Sequence, residues 1–245
     1  MNAHKLVFIF PIMLLPVLSF AGDEFESDVI TTSPDYLKIT FIGHGTLMFH
    51  FNDMAIHVDP VGRYADYSKM PKADVILITH EHGDHLDPEA VKKIRKPDTK
   101  IVLTEKCSEK FPGGVVMKNG DAKNVKGIAV KAVPAYNIVH KRANGAAFHP
   151  KGVGNGYVIR FGETTVYVAG DTENIPEMKE LSGIDIAFLP MNLPYTMTPA
   201  MVADAVRMFN PRVLYPYHYG DTDPEKIVRL LKDKKDCEVR IRDLR

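Results

Sequence analysis

The amino-acid sequence predicts an α/β protein that folds as a four-layer αββα sandwich, with helices outside two packed sheets. Three observations lead to this fold class. Short β-rich runs with tight turns open the folded part of the chain and indicate an antiparallel meander. The run Asp74–Thr79 is apolar almost throughout, which is typical of a strand covered on both faces. After it, helices and strands alternate to the end of the chain.

Composition limits the classes of function. The chain has 245 residues, 45% hydrophobic and 25% charged, which excludes a disordered protein. Its 31 Lys and Arg residues balance 31 Asp and Glu residues, which gives no long-range attraction to nucleic acid or to an anionic membrane, so we expect no nucleic-acid partner. Two cysteines occur, Cys107 and Cys237, and they could pair or remain free thiols. Any metal must therefore be held by histidines and carboxylates.

The N-terminal segment has the layout of a signal peptide over residues 1–21. Lys5 precedes the apolar run 6–20, and Ser19 and Ala21 place small residues three and one positions before the predicted cut. We therefore expect an exported protein, periplasmic or secreted, without a stable membrane anchor after cleavage. An uncleaved anchor is the alternative, although the run is short for a membrane span and contains two prolines.

The mature chain is expected to begin with a polar, exposed leader over residues 22–36, followed by one domain over residues 37–245. Each predicted strand of this domain is an apolar or alternating run bounded by turn residues. In chain order the predicted strands are Leu37–Ile42, Thr46–Phe51, Ala55–Val58, Asp74–Thr79, Lys100–Thr104, Gly127–Ala135, Gly156–Phe161, Thr164–Ala169, Ile184–Leu189, Val213–Tyr217 and Glu238–Arg242.

Three helices are predicted from a shared start signal, an Asp or Thr cap followed by a proline in the first turn. Because they alternate with strands, they are assigned to the outer layers. The predicted helices run from Asp87-Pro88 through Lys96, from Thr198-Pro199 to Phe209, and from Asp223-Pro224 to Lys232.

The strongest chemical signal is the run THEHGDH at residues 79–85, directly after the buried strand. Loops at strand ends are where α/β folds place their sites. His80 and His82 are separated by one residue, so an extended segment points both rings to the same side. Asp84 and His85 follow a short turn later and can face a second ion. Protonated rings this close would repel one another, and divalent cations remove that conflict.

Two later strand ends supply further ligand candidates, because four local donors cannot complete two coordination shells. Asp171 follows the strand that ends at Ala169, and His218 follows the strand Val213–Tyr217. With these residues the chain resembles the metallo-β-lactamase superfamily, in particular its UlaG-like metal-dependent hydrolases, whose H-x-H-x-D-H motif matches residues 80–85. The resemblance covers essentially the whole mature chain.

The resemblance implies a hydrolase with two divalent metal ions, zinc by default and manganese or iron as alternatives. Asp171 would bridge the ions, and Asp84 and Asp171 would serve catalysis. A metal-bridging hydroxide would attack an ester, a lactone or a phosphodiester-type substrate. Two other functions stay open: a periplasmic metal- or ligand-binding protein with vestigial catalysis, and di-iron redox chemistry on the same scaffold.

One ligand of the resemblance does not transfer directly. The superfamily supplies a third histidine to the first metal from a strand end that here reads Val133–Asn137, which contains none. His140 and His149 are the candidates in the following loop. We favour His149, because Pro150 restricts it to extended backbone and ordered backbone makes a better ligand.

Four residues are predicted to support the site. His44, in a Gly-rich turn, is expected to line the pocket, and Asp59 is expected to accept a hydrogen bond from a ligand histidine. Tyr195 and Tyr219 could donate to a substrate oxyanion or form an aromatic wall. Two histidines inside strands are expected to have packing or surface roles, namely His50 and His57.

Overall fold

Two sheets packed face to face form the protein, as described for residues 25–244 by a computed structural model. Each sheet has seven strands within this range, and the helices pack on the outer faces. The predicted αββα sandwich is therefore confirmed.

The first half of the chain forms the first sheet. Its strands are β1 (Ser27–Thr31), β2 (Tyr36–Gly43), β3 (Thr46–Phe51), β4 (Met54–Val58), β5 (Ala73–Leu77), β6 (Arg95–Leu103) and β7 (Val115–Val116). They lie side by side in chain order. Strands β1 to β4 pair antiparallel, which confirms the predicted meander, whereas β4 to β7 pair parallel.

The second half repeats this plan in the second sheet. Its strands are β8 (Ala122–Val125), β9 (Ile128–Ala135), β10 (Gly154–Phe161), β11 (Thr164–Val168), β12 (Ile186–Pro190), β13 (Val213–Tyr217) and β14 (Glu238–Val239). Strands β8 to β11 pair antiparallel, and β11 to β14 pair parallel. Parallel strands are joined through the outer layers, so their carboxyl ends share one edge of the sandwich.

Two of the three predicted α-helices begin at the predicted caps, whereas the third, predicted to start with Asp223-Pro224 and to end at Lys232, has Pro224 itself at the cap position and ends at Leu230. The helices are α1 (Pro88–Ile94), α2 (Pro199–Phe209) and α3 (Glu225–Leu230). The Asp87 carboxylate accepts hydrogen bonds from two backbone N–H groups of α1, and the Thr198 hydroxyl accepts one in α2. Helix α1 ends two residues before the predicted Lys96, because the chain already enters β6 at Arg95.

Aromatic side chains from both sheets fill the space between them. Phe41 and Phe49 of the first sheet meet Phe188 of the second, with ring centroids 6.4 Å and 6.1 Å apart. Phe49 also packs on Phe161 at 5.3 Å. All four rings are buried, and burial of such rings is the main term that holds the two sheets together.

The prediction of an exposed leader over residues 22–36 is wrong for Ser27–Thr31, which forms the edge strand β1. Asp28 of this strand is buried, where it accepts hydrogen bonds from the Tyr215 hydroxyl and from Nη2 of Arg242, the latter at 2.8 Å. A buried carboxylate requires such partners. The partners come from the far end of the chain, so nothing in the local sequence indicated the strand.

The predicted signal peptide, residues 1–21, lies outside the described residues. Between residues 25 and 244, no helix combines the length and the apolar character needed to cross a bilayer.

Cys107 and Cys237 are both buried free thiols. Cys107 packs with α1 and Cys237 with the core between the sheets, so they belong to separate clusters. Burial raises the pKa of each thiol to about 11, which keeps both protonated at neutral pH.

Candidate metal centre

The carboxyl ends of parallel strands bring the predicted ligands together at one edge of the sandwich. The motif 79–85 follows β5, Asp171 follows β11, and His218 follows β13. Together with His44 and His149 they form three sets whose ligand atoms lie within 4.8 Å of one another: His80, His82 and His149; His44, Asp84 and His218; and His80, His85 and Asp171. We call the first of these sets the first group, and we call Asp84 with the three rings around it, His44, His85 and His218, the second group. Residues more than a hundred positions apart in sequence therefore share one small volume.

His80, His82 and His149 form the first group. Nε2 of His80 lies 3.1 Å from Nδ1 of His82, and Nε2 of His149 lies 3.2 Å from the same Nδ1. Ligands bound at about 2.1 Å around a tetrahedral ion lie roughly 3.4 Å apart. The three nitrogens thus have the spacing of one coordination shell.

Asp84 is the centre of the second group. Its Oδ2 lies 3.5 Å from Nε2 of His218, 3.9 Å from Nε2 of His85 and 3.3 Å from Nε2 of His44. His85 and His218 are buried, whereas the side chain of Asp84 is 39% exposed. This group therefore faces solvent on the Asp84 side.

Asp171 lies between the two groups. Its Oδ2 is 3.2 Å from Nε2 of His149 and 3.8 Å from Nε2 of His80, both of the first group. The same oxygen is 3.4 Å from Nε2 of His218, and Oδ1 is 3.4 Å from Nε2 of His85. One buried carboxylate can therefore contribute to both shells.

The electrostatics of the site keep His80 neutral and Asp171 ionised, whereas at His85 burial opposes protonation but Asp171 and Asp59 outweigh it and raise the pKa well above its ordinary value. Burial lowers the pKa of His80 well below its ordinary value, and the neighbouring His85 lowers it further. At Asp171 burial opposes ionisation, but His218 and His85 outweigh it and hold the pKa of the carboxyl well below its usual range. A neutral imidazole and an anionic carboxylate are the protonation states that bind metal.

Three ligand atoms of the site have no hydrogen-bond partner among residues 25–244, although they are buried: Nε2 of His85, Nε2 of His218 and Oδ1 of Asp171. A buried polar atom without a partner costs about 1–3 kcal/mol. Each of these residues belongs to one of the groups whose ligand atoms converge. The residues present therefore fit divalent cations.

The contact predicted for Asp59 is present. Its Oδ2 lies 2.8 Å from Nδ1 of His85. Thr79 donates to the same carboxylate through its backbone N–H at 2.8 Å and its hydroxyl at 2.6 Å. Because His85 uses Nδ1 for Asp59, its Nε2 is left to face the site.

Asn137 holds His149, and sequence reasoning missed it. Its Oδ1 accepts from the His149 backbone N–H at 2.8 Å and from His149 Nδ1 at 2.7 Å. Its amide group in turn donates to the carboxylate of Glu173 at 3.2 Å and to the Tyr195 carbonyl at 2.9 Å. Asn137 thereby directs Nε2 of His149 into the first group. Its position could have indicated this role, because it lies at the strand end where the resemblance expects a ligand histidine.

Glu173 organises the loop after β9. It accepts from the backbone N–H groups of Ile138, Val139 and His140, each at 2.7 Å. It also contacts Nδ1 of His140 at 2.7 Å. Since His140 is engaged with Glu173 and is absent from the three sets of ligand atoms, the structure places His149 at the site and His140 outside it.

His44 and Tyr195 line the cavity above the two groups, as predicted. The His44 ring stacks on Tyr64 with centroids 5.4 Å apart, and its φ of 55° is a left-handed conformation that non-glycine residues rarely adopt. The cavity has a volume of about 650 Å³, within the usual range for small-molecule sites.

The prediction that Tyr219 faces the substrate is wrong. Its hydroxyl donates to the Arg242 carbonyl at 2.8 Å and accepts from the Leu244 N–H, so it anchors the C-terminal segment. The Tyr219 side chain is buried and is not part of the cavity wall. Neither His50 nor His57 belongs to a ligand group within residues 25–244; His57 is buried with Nε2 3.1 Å from the Pro71 carbonyl oxygen, and His50 is half-buried in β3.

Fold and site together define a metallo-β-lactamase fold protein with a histidine- and aspartate-rich metal centre. The family model described as "Beta-lactamase superfamily domain" matches residues 38–218. The chain belongs to this family.

Similar proteins are described as metal-dependent hydrolases. A UPF0173 metal-dependent hydrolase of Thermococcus kodakarensis is 32% identical over 224 residues, which cover 83% of this chain and 96% of that protein. A solved structure of a candidate metal-dependent hydrolase from Parabacteroides distasonis is 51% identical, with a TM-score of 0.86, over 90% of this chain and 100% of that one. The structure of Igni18, a metallo hydrolase of Ignicoccus hospitalis, is 24% identical with a TM-score of 0.70 over 84% of this chain and 95% of its own, and shows the fold alone. These comparisons support a metal-dependent hydrolase.

Gly45 leaves the space that the second group occupies. A Cβ at this position would lie 2.7 Å from Cε1 of His85 and 3.5 Å from Cδ2 of His218. Carbon atoms pack at about 3.5–4.0 Å, so the ring of His85 would have to move. The glycine is therefore a condition for the position of the His85 ring, whereas the contact with His218 is an ordinary one.

We expect Gly45→Ala to lower the free energy of unfolding of the metal-free protein by about 1–3 kcal/mol, because His85 would be forced away from Asp59. Urea denaturation followed by circular dichroism measures this. Gly83→Ala is the matched control: a Cβ there meets nothing within 4 Å, and a change of less than about 0.5 kcal/mol is expected. Equal losses in the two variants would contradict the packing argument.

Proposed function

We propose that the protein is an exported metal-dependent hydrolase that binds two divalent ions and cleaves a small-molecule ester, lactone or phosphodiester. The position of Asp171 carries this proposal. Its carboxylate is within 3.8 Å of ring nitrogens in both groups, at His80 on one side and at His218 on the other. A second ion beside the first requires such a shared anion, because it reduces the repulsion between the two cations.

Each ion would have three ligands of its own. For the first ion these are His80, His82 and His149. For the second they are Asp84, His85 and His218, which lie together around the Asp84 carboxylate, with Asp171 shared between the ions. Imidazole and carboxylate ligands suit zinc, and they also accommodate manganese or iron. The buried atoms without partners at His85, His218 and Asp171 support this assignment.

When bound, a pair of divalent ions supplies an activated water as nucleophile and polarises the oxygen that gains charge. The protein contributes position and polarity. Asp171 and Asp84 would hold the ions and offset part of their charge, and Asp84 lies on the solvent side of the site, where a substrate would enter. Tyr195, 45% exposed in the cavity wall, is placed to contact the substrate.

The alternative function is metal or ligand binding with vestigial catalysis. The strand end without a histidine favoured this alternative, because a missing ligand would weaken the binding of the first ion. His149, oriented by Asn137, supplies a third nitrogen there, which removes this argument. Metal content per chain, measured together with turnover on an ester, a lactone and a phosphodiester, separates the two functions: a loaded protein without turnover would favour the alternative.

We expect Asp171→Ala to reduce both bound metal and hydrolysis sharply, because the variant loses one donor in each shell and the anion between the cations. Metal analysis of the purified protein and the three-substrate panel measure the two effects. Asp233→Ala, an exposed aspartate distant from the ligand groups, is the matched control and should retain both. Unchanged metal stoichiometry in Asp171→Ala would remove this residue from the centre.

Two histidines of one loop give a sharper comparison. We expect His149→Ala to lower the affinity for the first ion by about 10-fold or more. Loss of a direct ligand should cost at least as much affinity as loss of a group that only holds a ligand in place. His140→Ala should leave the affinity nearly intact, because Glu173 still accepts three backbone N–H groups of the loop. Competitive titration with a chromophoric chelator measures both. The opposite ranking would make His140 the ligand.

Export is the remaining part of the proposal, and it is supported by the charge, the apolar run and the small residues of the N-terminal segment. We expect the protein isolated from its native host to begin at Gly22. Sequencing of its N-terminus tests this, and a protein that retains Met1 or Asn2 would refute cleavage.

A further inference from the structure

Two arginines border the cavity, and neither belongs to a ligand group. Arg63 lies in the loop after β4, and Arg142 lies in the loop between β9 and β10. Strands β4 and β9 belong to different sheets, so the two side chains reach the cavity of about 650 Å³ from separate halves of the sandwich. They add positive charge to the cavity wall beside the metal centre.

Arg142 is fixed next to the metal centre by its own loop. Its Cζ lies 5.0 Å from the centroid of the Phe148 ring, and Nη2 donates to the Phe148 carbonyl at 3.4 Å. The Phe148 ring packs edge-on against Tyr195 with centroids 5.1 Å apart. Since Phe148 directly precedes His149, the guanidinium group is attached to the segment that supplies a proposed ligand. Such a stacked guanidinium keeps donors available for a ligand.

Neither arginine is neutralised by the protein. Within residues 25–244, no carboxylate forms an ion pair with Arg63 or Arg142, whereas Arg212 and Arg242 pair with aspartates at 3.4 Å and 2.8 Å. Asp221 also borders the cavity, which leaves two positive charges against one negative charge outside the ligand groups. A guanidinium with free N–H groups binds carboxylates and phosphates in a two-pronged geometry.

We propose that the substrate carries an anionic group, a carboxylate or a phosphate, away from the bond that is cleaved, and that Arg142 and Arg63 bind this group. The inference rests on the proposed function, because it makes the same cavity the substrate site and narrows the substrate class. The arginines then determine specificity: they select acids over neutral esters or lactones. Binding of the remote anion also orients the substrate toward the ions.

Binding of inert diacids tests this without turnover. Straight-chain dicarboxylates from succinate to suberate, each paired with its monomethyl ester, are titrated calorimetrically into the metal-loaded protein. One carboxylate in every probe can reach the ions, so the pair differs only at the remote group. Phosphonocarboxylates of the same lengths show whether the remote group is preferred as a phosphate or as a carboxylate.

We expect at least one diacid or phosphonocarboxylate to bind about 10-fold more tightly than the matching monoester, a factor typical of hydrogen bonds to charged groups. In the double variant Arg63→Gln Arg142→Gln the preference should fall to less than about twofold. The control Arg160→Gln, an exposed arginine outside the cavity, should keep it. Equal binding of acid and ester by the wild-type protein, no binding of any probe, or an unchanged preference in the double variant would overturn the proposal.

Metal content and hydrolysis of the same samples separate this proposal from the proposed function. If the protein holds metal and hydrolyses esters but does not prefer acids, only the proposal of an anion site is contradicted. If the protein is inactive but prefers diacids through the two arginines, the hydrolase proposal is contradicted and the anion site is supported.

Discussion

The buried carboxylate of Asp171 and the four histidine rings around it are the constraint on which this end of the sandwich depends. His80, His85, His149 and His218 each place a nitrogen within 3.8 Å of its oxygens. A buried anion is stable only beside compensating charge or donors, and rings this close cannot all be protonated. Divalent ions satisfy both requirements at once. The fold therefore assembles donors whose chemistry and spacing suit divalent cations.

The rings are held by polar groups that the strand ends provide. Asp59, at the end of β4, fixes His85, and Asn137, just beyond β9, fixes His149. Each holder is itself satisfied, by Thr79 in the first case and Glu173 in the second. A network in which every member has a partner is rigid, whereas a half-satisfied one is costly. The two supports come from different sheets, with Asp59 holding a ring of the second group and Asn137 a ring of the first.

Local patterns in the sequence predict most of the fold. The meander, strand β5 and helix α2 were predictable because each depends on neighbouring residues. The patterns are an alternation of residues for the meander, an apolar run for β5 and a Thr-Pro start for α2. Strand β1 was not, since its polar sequence is stabilised by pairing with β2 and by Arg242 at the opposite end of the chain. The residues of the site likewise include some that the local sequence predicts and some that it does not. The spacing of residues 80–85 predicts that their side chains converge, whereas the Tyr219 hydroxyl is bonded to Arg242 and Leu244 at the end of the chain, which the local sequence does not indicate.

The strand end without a histidine shows how a ligand position can be displaced along the chain. Asn137 stands in the segment where the resemblance expects the third histidine, and it binds His149, which lies twelve residues later. Ligation of the first ion then depends on the fold of the intervening loop, which Glu173 holds through three backbone N–H groups. The same loop carries Arg142 and Phe148 into the cavity wall. Because one loop supplies both a ligand and a wall, its conformation couples the completeness of the metal centre to the shape of the cavity above it.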